Sequence, residues 1–158
     1  MRRTLLLLAV AAMTISSSAM AQPDFSRPPS FGTLNLRTGF SPDPTIVNVT
    51  AGGRLNAATI DSACVGSVAN SPDVRLNFTA GSELPLIISV GSDADTTLVV
   101  NGPDGRWYCN DDTNGTNPVV RFNSPASGQY DIYIGHYQQG SSIPAQLYIS
   151  EVTSAGAE

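Results

Sequence analysis

The sequence predicts an all-β chain folded as an antiparallel β-sandwich of eight or nine short strands. Three observations carry that expectation. Apolar residues recur with a period of two almost throughout, turn residues punctuate the chain between these runs, and no segment shows a capped apolar stripe of helical period. A closed barrel shares the same pattern.

The elements follow in order. Arg2 and Arg3, the apolar run over 5–12 and Ala19-Met20-Ala21 read as an export signal over residues 1–21. The run is shorter than the ~20 residues a bilayer span needs. Residues 22–32, with Pro23, Pro28 and Pro29, read as an extended leader. The sandwich is assigned to 33–152 and a small, polar, flexible tail to 153–158. Within the sandwich, Leu34 and Leu36 alternate with Asn35 and Arg37, and Val47 and Val49 flank Asn48. Val74, Leu76 and Phe78 alternate with Arg75 and Asn77, and 84–90 is a continuous apolar run suited to a strand buried on both sides. Residues 96–100 and 106–109 form a hairpin around Asn101-Gly102-Pro103-Asp104-Gly105. Strands at 119–122, 129–137 and 145–152 complete the set, and 55–62 is the one candidate for a short helical turn.

Cleavage after Ala21 removes two arginines and no acids, leaving six arginines against thirteen carboxylates, a formal charge of −7 with no lysine. Such a surface argues against nucleic acid and anionic membranes, both of which require Lys/Arg patches. The expected location is the periplasm or the medium, with no membrane insertion. In an oxidising compartment Cys64 and Cys109, the only cysteines, are expected to pair. Two separate buried thiols are the alternative. Closing a loop of about 45 residues contributes about 4 kcal/mol in the chain-entropy description.

The progression Asp95-Thr96-Thr97-Leu98, Gly102-Pro103-Asp104-Gly105, Asn110-Asp111-Asp112 and Ser127-Gly128-Gln129-Tyr130-Asp131-Ile132-Tyr133-Ile134 resembles the bacterial pre-peptidase C-terminal domain, over residues 84–151. That resemblance implies a non-catalytic β-sandwich, found beside secreted peptidases or as a free-standing exported module. Some members bind calcium or polymers such as collagen. The chain departs from the family in two ways: no peptidase domain accompanies it here, and the acidic linker that supplies calcium ligands has no match, the leader offering only Asp24.

Candidate chemistry concentrates in 92–115, which holds five of the thirteen acids. Asn110, Asp111, Asp112, Thr113, Asn114 and Gly115 partly copy a calcium loop, with Asn110 at position one and Arg121 where a bidentate Glu belongs. Asp95 is a further oxygen ligand for Ca²⁺ or, alternatively, a structural acceptor of backbone N–H groups. The bland reading of the whole loop is Asx turns closing on their own backbone. Tyr133 and Tyr148, outward by alternation, are the candidate platform for a sugar or cell-envelope polymer, against ordinary cross-strand pairing. Trp107 shares a face with Cys109 and is expected to pack on the disulfide. His136 is the one histidine, and no G-x-S-x-G elbow accompanies it, so a small hydrolase is the weakest reading. Asn48, Asn77 and Asn114 head N-x-[ST] sequons. The sequence therefore points to a binding or structural module without catalytic residues, its partner an extracellular polymer or another secreted protein.

Overall fold

The computed structural model describes residues 22–140 and 142–155; the export signal lies outside them. Among the described residues, eleven strands form two packed sheets. Nine match the expected runs: β1 (Thr33–Arg37), β2 (Thr45–Ala51), β5 (Val74–Thr79), β6 (Leu86–Gly91), β7 (Thr96–Asn101), β8 (Trp107–Asn110), β9 (Val119–Phe122), β10 (Gly128–His136) and β11 (Ile143–Ser150). The two additions, β3 (Leu55–Asn56) and β4 (Ser67–Val68), are two residues each, too short to show a period. Between them the expected helical turn is a single 3-10 turn, Ala57–Thr59, with the Asn56 side chain accepting from the Ala58 N–H as its N-cap.

The smaller sheet runs β2-β11-β6-β9 and is antiparallel throughout. The larger centres on β10, which pairs with β7 along one side and with β5, then β4, along the other. One pairing departs from the expected antiparallel rule: β1 lies parallel to β5, with Leu34 opposite Leu76. The leader explains this, because it runs alongside the start of β5 and delivers the chain to β1 in the same direction: Ser30 and Phe31 donate to the Pro72 and Asp73 carbonyls.

Alternation builds the inter-sheet core. Leu76 and Phe78, Tyr130, Ile132 and Ile134, and Leu98 and Val100 from the larger sheet meet Leu86, Ile88, Val90, Leu147 and Ile149 from the smaller one. A chain of edge-to-face rings, Tyr108–Phe122 at 4.8 Å and Phe122–Tyr130 at 5.2 Å, closes the corner between the sheets.

On β10 the partner changes from β5, at Ile132↔Val74, to β4, at His136↔Ser67, which leaves Ile134 between the two without a strand partner on that side. Asp73 fills the gap. Its Oδ2 accepts the Ile134 N–H at 2.7 Å, while the Gly52 N–H donates to the Ile134 carbonyl at 2.9 Å. Asp73 is only 2% exposed, and burial pushes its carboxyl up to about 7 against the one hydrogen bond that favours the charged form.

The described residues on either side of the sandwich, 22–32 and 153–155, both make contacts with it. In the leader, Pro23 is buried and the Phe25 ring meets Trp107 at 6.2 Å. Arg75, paired with Asp131 at 2.7 Å, also donates to the carbonyls of Phe25 and Arg27. At the other end, Ala155 is buried and donates its N–H to Ser89 Oγ at 2.9 Å. Covered this way, β6 is buried on both faces.

Candidate functional site

Beneath the outer face of the larger sheet lies a second, smaller core. The excursion from Leu55 to Val68 folds back over β7, β8 and β10, and Cys64 bonds to Cys109 with a Cα–Cα separation of 5.3 Å. Register places Cys109 opposite Val99 and Val99 opposite Tyr133, so the three form a row across three strands. Ala57, Val68 and Trp107 complete the cluster, as expected for a tryptophan on the disulfide's face. The Trp107 and Tyr133 rings sit 5.8 Å apart.

This arrangement corrects the expectation for Tyr133. It does point away from the inter-sheet core, but the disulfide-bearing excursion covers it completely, leaving 0% exposure. Its hydroxyl is buried without a hydrogen-bond partner, and desolvation, ahead of the nearby carboxylates, holds its phenol well above the usual range. Tyr133 cannot offer a face to a ligand.

Tyr148 is different. It stands half-buried on the outer face of β11, opposite Ile46 of β2 and Ser89 of β6. Its ring lies against Gly91, where a Cβ would come within 3.2 Å of the ring edge. The Tyr148 hydroxyl donates to Gln146 Oε1 at 2.9 Å, and Gln146 Nε2 donates to Asn48 Oδ1 at 3.0 Å. Asp93 and Asn117 border the same shallow groove. A second groove, on the larger sheet between β1, β5 and β10, is lined by Asn35, Arg37, Asn77 and Gln129 and has no exposed aromatic ring.

The acidic segment comes together only in part. Asp111 and Asp112 lie near enough to Asp95 to raise its carboxyl, although desolvation is the larger cause and His136 opposes both. Asp95 Oδ1 is buried and accepts no hydrogen bond, so the expected backbone-capping role is not filled by that oxygen. The asparagines are engaged elsewhere. Asn110 Oδ1 accepts from the Val119 N–H at 2.8 Å and the Thr113 hydroxyl at 2.7 Å, pinning the loop to β9. Asn114 turns its amide outward from the loop, donating to Ser154 Oγ and the Ala155 carbonyl, and so holds the C-terminal segment. Among the described residues no group of three or more His, Cys, Asp or Glu side chains is placed to hold a metal ion.

His136 ends β10 opposite Thr96 and Ser67 and is 7% exposed. Sequence reasoning missed Asp73 and the pair Asp43 and Glu151. The only available signal was an acid beside Pro72, beside Pro44 or at a strand end, each of which also reads as an ordinary turn residue.

No family model matches the chain, so the motif order that resembles the pre-peptidase C-terminal domain finds no support there. No curated protein matches it either. Among solved structures, the crystal structure of Aeromonas hydrophila PliG, a periplasmic lysozyme inhibitor of g-type lysozyme, is similar over 75% of this chain and 96% of that one. The identity is 12% and the TM-score 0.39, too distant a likeness to carry function.

Proposed function

We propose that the protein is a non-catalytic exported binding module that engages an extracellular or cell-envelope polysaccharide through the outer face of its smaller sheet. The observation that carries this reading is the Tyr148 groove. A ring laid over Gly91 gives a sugar an apolar surface, while the neighbouring Gln146 and Asn48 amides and the Asp93 carboxylate supply hydrogen-bonding partners for hydroxyls. The Cys64–Cys109 disulfide supports an oxidising compartment. Burial of His136 supports a role without acid–base catalysis, since a general base must reach the proton it takes.

The test is retention of the mature protein on insoluble peptidoglycan and on a glycan array, beside Tyr148→Ala and Gln146→Ala. The expected result is retention of the parent protein and at least a tenfold loss in Tyr148→Ala. Equal retention of parent and variant, or no retention of the parent on any of these polymers, overturns the reading.

A further inference from the structure

At the opposite end of the smaller sheet, the loop over residues 38–44 is joined to the residue after β11 by two carboxylates. Glu151 is 3% exposed; its Oε2 accepts the Gly39 N–H at 2.7 Å, and its own N–H donates to Asp43 Oδ2 at 3.0 Å. Each carboxylate thus has one oxygen fixed by a backbone donor. The remaining two, Asp43 Oδ1 and Glu151 Oε1, are buried and accept no hydrogen bond from any described residue.

This is an unusual combination. Buried carboxylate oxygens are ordinarily satisfied, and a charge held in a low dielectric is ordinarily compensated by a counter-charge. Here the ion pairs among the described residues are Arg75–Asp131 and Arg106–Asp104, and neither carboxylate takes part. Two carboxylates are therefore held in place on adjoining segments, each with one hard oxygen left unsatisfied.

We propose that this junction binds a hard cation of the Ca²⁺ class, held by Asp43 and Glu151 and tying the β1–β2 connection to the end of the last strand. The chemistry fits the oxygen preference of such ions. The two carboxylates are already immobilised by Gly39 and by the Glu151 backbone, so little ordering is required on binding. The site is separate from the acidic loop at 110–114 and does not depend on the groove at Tyr148.

The experiment is thermal unfolding of the EDTA-dialysed mature protein with and without 5 mM CaCl₂ (roughly saturating for weak extracellular sites), with NaCl at matched ionic strength as control. The variants are Asp43→Asn, Glu151→Gln and the double substitution Asp111→Asn/Asp112→Asn. Calcium is expected to raise Tm by about 3–8 °C in the parent and in the Asp111/Asp112 variant, and by less than about 1 °C in Asp43→Asn and Glu151→Gln. Should Glu151→Gln fail to fold, Asp43→Asn on the less buried loop decides alone. No shift in the parent overturns the proposal. So does a shift that survives in Asp43→Asn, or one lost only in the Asp111/Asp112 variant, which would move the ion to the acidic loop. A parent that ignores calcium but gains stability as pH falls would show a shared proton in place of the ion, and also overturns it.

Discussion

Tyr133 and Tyr148 occupy equivalent positions on the two sheets, each on the face turned away from the inter-sheet core, and they meet opposite fates. Over the larger sheet the excursion from Leu55 to Val68, the disulfide and the leader build a second core that seals Tyr133. Over the smaller sheet the covering is partial: Ala155 seats on Ser89, and the surface beyond it stays open, with Tyr148 at the boundary and Ile46 48% exposed. Alternation says which side of a sheet a residue lies on. Whether that side meets water depends on chain segments distant in sequence, and here the difference separates a sealed face from an open one.

The largest effect that would break this comparison comes from the staple of the covered face. Replacing Cys64 and Cys109 by Ser removes a crosslink across 45 residues, and the expected loss is about 4 kcal/mol by loop closure. The measurement is the urea midpoint of parent and variant, with Trp107 fluorescence as probe. Because Trp107 packs in the same cluster, its emission should shift to the red in the variant even in the folded baseline. An unchanged midpoint would show that the second core holds without its crosslink.

What the sequence made legible follows the same division. Period-two runs, a continuous apolar run at β6 and turn residues around the β7–β8 hairpin located nine strands, most plainly β2 and β5, which bury one face against the inter-sheet core and so write their facing into local alternation. Pairing of Cys64 with Cys109 followed from two thiols in a chain expected to be exported. The strands Leu55–Asn56 and Ser67–Val68 left no such trace, since two residues cannot display a period. The parallel β1–β5 pair was hidden because register and direction depend on the path of the leader. Asn110 and Asn114 read as calcium ligands by spacing; in the fold, their amides are engaged by β9 and by the C-terminal segment, contacts that no local pattern reports. The Tyr148 groove was half legible: the ring stood out, while its partners Gly91 and Asn48 lie 57 and 100 residues away in sequence.

A second prediction sharpens the comparison through pH. Asp73 patches the ladder beside the covered face, and its carboxyl is raised from 3.8 to about 7 by burial. Between those values the folded protein holds a proton that the unfolded chain has released, so folded stability falls as pH rises from about 4 to about 7. Asparagine keeps the acceptor for the Ile134 N–H and removes the titration. Asp73→Asn should therefore be more stable than the parent at pH 8 by roughly 2–4 kcal/mol, with a smaller difference at pH 4.5. Urea unfolding at the two pH values checks this. A gain equal at both, or a loss at pH 8, would show that the carboxylate is stabilised by something other than the Ile134 N–H.

The smallest effect tests the covered face most directly. The Tyr133 side chain packs in the cluster with Val68, Val99 and Cys64, its hydroxyl is buried with no hydrogen-bond partner among the described residues, and an unsatisfied buried polar group costs about 1–3 kcal/mol. Tyr133→Phe deletes that group and keeps the ring against Trp107, losing only the small volume of one oxygen. The expected result is a gain of about 1 kcal/mol in the urea midpoint, with polymer retention unchanged because the residue meets no ligand. Loss of stability would mean that the hydroxyl is bonded in solution. Loss of retention would place recognition on the larger sheet after all, and the contrast between the two faces would have to be reversed.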